Sequence, residues 1–185
     1  MNKKKLLLHS CCGPCTTVPV ERLWDEYEIV SFEYNPNIHP ETEHQLRLTE
    51  LDRLTDELGI DLIVAEYDPE RWFSLVKGLE TEPEGGERCA ICFRMRLERA
   101  AMFAKENGFD FYTTTLTISP HKNAERINKI GAEIARQHGV NFLECNFKKK
   151  DGYSRSIELS KAYQLYRQNY CGCIYSRRSE LAERG

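Results

Sequence analysis

The sequence predicts an α/β fold, a doubly wound and mostly parallel sheet, and three observations carry that prediction. Short apolar runs rich in β-branched and aromatic residues alternate with amphipathic stretches along most of the chain. Gly59, Gly108 and Gly139 stand where the helical spacing stops. Unusual polar or cysteine-rich motifs follow the apolar runs, at the carboxyl ends of strands where open parallel sheets bind ligands.

Taken in order, Lys5-Leu-Leu-Leu-His9 reads as a buried strand, and 16–27 as a helix. The run 28–34 is a second strand, closed by the Asn35-Pro36-Asn37 turn signal. Leu48, Leu51, Leu54 and Leu58 recur near helical spacing and predict a helix over 41–58. A third strand spans 61–67, and the loop 81–87 leads into a helix over 88–107 that carries Cys89 and Cys92. A fourth strand covers 109–116, and Ile127, Ile130 and Ile134 mark the next helix. The fifth strand is read over 140–147 and a last helix over 156–168. With no internal repeat and no low-complexity linker, one domain is expected over residues 1–185.

Composition narrows the class. In 185 residues, 41% hydrophobic and 30% charged is a globular composition, so a disordered or fibrous chain is excluded. Lys3 to Lys5 followed by Leu6 to Leu8 resembles a secretory signal, but three leucines fall short of the roughly 7–15 apolar residues that one needs. No stretch approaches the ~20 apolar residues of a membrane span. A reducing, cytoplasmic location is therefore expected. The near balance of 26 basic and 29 acidic residues conceals a division. Residues 21–87 carry 19 acidic and 5 basic side chains, whereas 148–178 carry 8 basic and 2 acidic. This basic segment interleaves Tyr153, Tyr163, Tyr166, Tyr170 and Tyr175. Cations for phosphates beside aromatic faces for bases suit a single-stranded RNA loop. A solvated helix face with packed tyrosines is the plainer alternative.

Seven of the eight cysteines fall in three tight groups: Cys11-Cys12-Gly-Pro-Cys15, Cys89-Ala-Ile-Cys92 and Cys171-Gly-Cys173. Bridged scaffolds spread their cysteines, whereas clustered thiols suit a metal or redox centre. Cys89 and Cys92, three apart at a helix start, share one face near the positive helix end. Alone they fit a zinc half-site, a thioredoxin-like pair or part of an iron–sulfur site. Adjacent Cys11 and Cys12 are expected to point apart, which fits several irons better than one zinc. Cys11, Cys12, Cys15, Cys89 and Cys92 are thus the candidate metal ligands, one more than a four-iron cluster needs. Cys15 is alternatively a buried small hydrophobe, and Cys145 in its apolar run is expected to be one. Cys171 and Cys173 are either a strained, redox-active disulfide or an external ligand pair.

The motifs together resemble a known family. Leu8 to Ser176 contains His9-Ser-Cys-Cys-Gly-Pro-Cys15, Tyr34-Asn-Pro-Asn-Ile38, Glu82-Pro-Glu-Gly-Gly86, Cys89-Ala-Ile-Cys-Phe93, Thr113-Thr-Thr-Leu-Thr-Ile-Ser-Pro-His-Lys122, Phe147-Lys-Lys-Lys-Asp-Gly-Tyr153 and Tyr170-Cys-Gly-Cys173. This combination is similar to the epoxyqueuosine reductases of the QueH type, with no departure at a cysteine position. The resemblance implies a Rossmann-like fold akin to the PP-loop and HUP nucleotide-binding proteins. It also implies two-electron reduction of epoxyqueuosine to queuosine at the tRNA wobble position, a [4Fe–4S] cluster and a mononuclear iron. The Ser-Gly-Gly-x-Asp-Ser loop of PP-loop ATPases is replaced here by Ser10-Cys-Cys-Gly-Pro-Cys15, which argues against nucleotide hydrolysis.

On this reading Cys11, Cys12, Cys89 and Cys92 hold the cluster and Cys15 the extra iron. His121, Lys122 and Asp151 are candidate catalytic residues; for His121 a capping role is the alternative. Asp68 and Asp110 are further candidate carboxylate ligands, and His9 is expected to be a core histidine. Asn35, Asn37 and Ser119 are candidate substrate-binding residues. Lys148, Lys149, Lys150, Arg155, Arg177 and Arg178 are candidates for RNA binding. The expected partners are tRNA and an electron donor that the sequence does not identify. The competing function is PP-loop-like tRNA thiolation or nucleotide activation, with Cys171 and Cys173 as sulfur carriers; a zinc-bound RNA module is a third reading.

Overall fold

The computed structural model describes residues 3–176. Strands β1 (Lys4–His9), β2 (Tyr27–Glu33), β3 (Asp61–Val64), β4 (Phe111–Thr114) and β5 (Asn141–Phe142) form one sheet in the order β3-β2-β1-β4-β5. Every pairing is parallel. Helices α1 (Gly13–Leu23), α2 (Glu41–Leu58), α3 (Pro69–Leu75), α4 (Glu87–Glu106), α5 (Ala124–His138) and α6 (Gly152–Ala162) connect or follow the strands.

The side-chain period of two divides β1 between two cores. Leu6 and Leu8 pack with Val18, Val20 and Leu23 of α1 and with Phe147. Leu7, on the opposite face, joins Leu97 and Ala101 of α4 and Ile127 and Ile134 of α5. A strand covered on both faces has no use for polar alternation, which explains its unbroken leucine run. Gly131 lets α5 lie against the sheet, since a Cβ there would meet the Phe142 ring at 2.5 Å.

Strand order reverses beside β1: the chain builds outward to β3, then crosses over to place β4 on the other side. His9 registers with Thr114, so the loops leaving β1 and β4 emerge level with each other. That crevice holds the first group of thiols.

Several elements depart from expectation for local reasons. A short helix, α3, follows the third strand because Asp68 caps it, accepting from the Arg71 amide at 3.1 Å, with Pro69 in its first turn. Strand β4 ends early because the Thr114 hydroxyl accepts from the Leu116 amide and starts a 3₁₀ turn over Thr115–Ile118. Strand β5 is two residues long; beyond it, Phe147 turns back to donate to Thr117 Oγ1. The last helix begins four residues sooner than expected and stops at Ala162, with Gln164 in the left-handed region at φ 52°. Residues 163–171 therefore run as an irregular strap rather than as the end of a helix.

Candidate metal centre and substrate cleft

Loop geometry at the switch point brings three thiols together. The Cys11 amide donates to Thr115 Oγ1 at 3.2 Å, which ties the β1 loop to the β4 loop. Cys12 is the extended N-cap residue of α1 and Cys15 lies in the first turn, so their sulfurs approach to 2.7 Å. Cys11 and Cys12 are 3.9 Å apart, and all three sulfurs lie within 4.8 Å of one another. The expectation that adjacent thiols diverge is corrected: the Cys11 and Cys12 sulfurs lie close enough to share one site with Cys15. Gln168 Nε2 donates to Cys12 Sγ at 2.9 Å. Sequence reasoning missed Gln168 by assigning it to a helix; its closeness to Cys171 was the only available signal.

The triad shares its charge unequally. Hydrogen bonds with Cys12 and Cys15, followed by the Lys122 charge, hold the Cys11 thiol well below its ordinary range. Burial above all pushes Cys12 up to about 12, and bonding to Cys11 and Cys12 raises Cys15. Pro14 removes an amide donor from the first turn of α1, so this helix end presents sulfur where a phosphate loop would present N–H groups.

A second group lies on the α4 side. Cys89 and Cys92 occupy the start of α4, and the Gly85 amide donates to Cys89 Sγ at 3.2 Å. Burial foremost raises the Cys92 thiol. With Cys171 and Cys173 they line a small cavity of about 40 Å³ beside Trp72. Cys171 is held well below the usual thiol range by its hydrogen bond with Cys173, and that bond raises Cys173. The expected Cys171–Cys173 disulfide is not formed in this structure; both thiols are free. Gly172 between them has φ 104°, and a Cβ there would press on Ile38 at 2.8 Å. Cys11, Cys89, Cys92, Cys171 and Cys173 pack on the α4 core, whereas Cys15 and Cys145 pack on the α1 core.

The triad opens onto a cleft of about 800 Å³, whose walls include Ser119, Tyr153, Tyr166 and Gln168. His121 and Lys122 line both this cleft and the small cavity, as does Cys171. Asn37 lines the small cavity with its buried Oδ1 unpartnered. Asn35 is committed inside the protein: it donates to the Ser10 carbonyl and Glu33 and accepts from Arg96. His9 is buried, bonded to Thr114 and Tyr34, and lowered to about 4 by burial, consistent with a neutral core histidine.

Other candidates lie elsewhere. Asp151 is exposed, stands just before α6 in the left-handed region without a side-chain capping bond, and lines neither space. Asp68 caps α3, and Asp110 accepts from the Lys5 amide at the opposite, amino end of β1. Lys148 turns inward to the Lys122 carbonyl, and Arg155 is held by Glu21 and Glu158. Lys149 and Lys150 are exposed. Arg177 and Arg178 lie outside the described residues. Among the described residues no helix is long and apolar enough to cross a membrane.

Comparison with known proteins adds three findings. The family model described as epoxyqueuosine reductase QueH matches residues 6–179. Proteins named epoxyqueuosine reductase QueH are similar over nearly the whole chain. The one from Acinetobacter baylyi is 44% identical over 96% of this chain and 82% of its own length. For Streptococcus pyogenes the values are 39%, 94% and 71%, and for Thermotoga maritima 37%, 96% and 94%. Among solved structures, the U34-tRNA thiolase NcsA from Methanococcus maripaludis with its [4Fe-4S] cluster superposes with a TM-score of 0.59 at 14% identity. That match covers 99% of this chain and 64% of the thiolase, and is a likeness of fold.

Proposed function

The chain belongs to the epoxyqueuosine reductase QueH family, and from that premise we propose that it reduces the epoxide of epoxyqueuosine at the tRNA wobble position with an iron–sulfur cluster. The observation that carries the metal part of this reading is the donor set: three sulfurs within 4.8 Å of one another at the strand switch. Soft thiolates in such a group suit iron–sulfur ligation. We assign Cys11, Cys12, Cys89 and Cys92 to a [4Fe–4S] cluster and Cys15 to an adjacent mononuclear iron. When bound, the cluster supplies electrons singly and the extra iron a Lewis acid.

The reaction breaks both C–O bonds of the epoxide, takes up two electrons and two protons, leaves a C=C bond and releases water. His121 and Lys122, on the wall shared by the two spaces, are the assigned proton donors. The Cys171–Cys173 dithiol is assigned as a redox pair: oxidation to the disulfide yields two electrons and two protons, matching the requirement. An electron donor outside the chain then returns the pair to the dithiol. Asn37 and Ser119 are assigned to hold the nucleoside, Tyr153 and Tyr166 to stack against bases, and Lys149 and Lys150 to meet phosphates. A reducing cytoplasm belongs to the same proposal.

The test is iron and sulfide analysis of anaerobically purified single-serine variants, together with conversion of epoxyqueuosine-containing tRNA in the absence of ATP. We expect turnover without ATP, and at least a tenfold loss of activity with cluster loss in Cys11→Ser, Cys12→Ser, Cys89→Ser and Cys92→Ser. A full cluster in Cys89→Ser sinks the ligand assignment, and a strict ATP requirement sinks the reductase reading.

A further inference from the structure

Three arginines are buried around the thiols, and among the described residues only Arg47 has a carboxylate partner. Arg47 pairs with Glu43 at 2.7 Å and donates to the Tyr170 and Cys171 carbonyls. Arg88 also lacks a carboxylate and leaves its Nε unpartnered, but its Nη1 donates to the carbonyls of Leu79, Glu80 and Glu82, and it lines the small cavity without reaching the larger cleft. Arg96 differs. It is 3% exposed; it donates to the Cys92 carbonyl and Asn35 Oδ1, each at 3.3 Å, and its guanidinium lies 5.9 Å from the centre of the Phe93 ring. No carboxylate lies within ion-pair distance of it among the described residues. Glu33 reaches it only across Asn35, whose Nδ2 donates to Glu33 at 2.7 Å.

A guanidinium keeps its proton, so Arg96 buries a full positive charge with most of its N–H donors unspent. A buried charge without a counter-charge is strongly unfavourable. Arg96 lines both the small thiol cavity and the larger cleft, so it faces the space between the two thiol groups. Its Nε hydrogen bond to the Cys92 carbonyl ties it to the turn of α4 that carries that thiol.

We infer that Arg96 is the fixed counter-ion of the thiolate-held centre, a positioning residue that eases the centre's uptake of an electron. The inference rests on the iron–sulfur reading above. Each electron gained makes the centre more negative, and a cation held in low dielectric stabilises the reduced form more than the oxidised one. Asn35, expected from sequence to touch substrate, instead orients this cation and links it to Glu33.

The experiment compares full-length wild type, Arg96→Gln and Arg96→Lys, purified anaerobically. It measures iron and sulfide content, the midpoint potential by dithionite titration, and tRNA affinity. Arg96→Gln is expected to shift the midpoint to lower potential with iron, sulfide and tRNA affinity retained, and Arg96→Lys to recover most of that shift. An unchanged midpoint in Arg96→Gln with a full cluster overturns the inference. An unchanged midpoint with weakened tRNA binding also overturns it and assigns the cation to an RNA phosphate. Where Arg96→Gln does not fold by circular dichroism, Arg96→Met, which removes the charge at similar length, is read instead; an unchanged midpoint there overturns the inference. Wild type lacking iron and sulfide would mark failure of the iron–sulfur reading itself.

Discussion

Gly152 anchors the loop that carries the exposed lysines. Arg22 of α1 donates to the carbonyls of Phe147, Lys149 and Lys150 and pulls the loop down onto the helix. Gly152 then sits under the Phe147 carbonyl, and a Cβ would overlap that oxygen and crowd the Arg22 guanidinium. The obstacle is backbone, which cannot step aside as a side-chain end can. Gly152→Ala is therefore expected to cost about 2 kcal/mol or more, as overpacking and loop displacement do. Urea denaturation checks this, and a wild-type midpoint would contradict it. Nothing in the sequence distinguishes this glycine from an ordinary turn glycine, because the clash partner lies five residues upstream and the anchor on another helix.

Helix α2 works as a rail for the strap that leads to the site. Arg47, Glu50 and Arg53, spaced by three, share one face of the helix. Arg53 donates to the carbonyls of Tyr163 and Gln164, Glu50 accepts from the Tyr166 amide, and Arg47 holds the carbonyls of Tyr170 and Cys171. The rail delivers Gln168 to Cys12 and Cys171 to the small cavity. Leucine spacing in the sequence matched the bounds of α2 in full, because local periodicity sets an amphipathic helix. The same pattern presents the polar face as solvated, since its partners are backbone groups more than a hundred residues away. Arg47→Met removes the pair with Glu43 and the two charged hydrogen bonds to the strap, the latter each worth roughly 1.5–3 kcal/mol. Amide hydrogen exchange in 163–173 is expected to quicken by about tenfold or more, with α4 and α5 unchanged. Uniform acceleration would instead mean global destabilisation.

At the scale of the whole molecule, the division between an acidic body and a basic end is partly internal. Arg155 is bound to Glu21 and Glu158, and Lys148 to carbonyls of the β4 loop, so these charges fasten α6 and its loop to the body. Lys149 and Lys150 remain exposed. Replacing both with Ala is expected to weaken tRNA binding and reduce the slope of log affinity against log salt by about 1–2. Arg155→Ala is expected to leave that slope unchanged. Binding titrations at several salt concentrations separate the two, and equal effects would contradict the distinction. The sequence by itself determined the α/β class, the parallel alternation, the bounds of α2 and the resemblance that the family comparison bears out. These are properties of local periodicity and short motifs, which act over a few residues. Only the tertiary structure decided how the thiols are partitioned, with Cys171 and Cys173 beside Cys89 and Cys92, and that Asn35 serves Arg96. It also moved Asp68, Asp110 and Asp151 away from the centre and introduced Gln168. Those outcomes depend on strand order, which sets the β1 and β4 loops side by side, and on a strap whose path is fixed by α2. Spacing along a chain counts residues; a site is made by the elements that bring distant residues to one edge of the sheet.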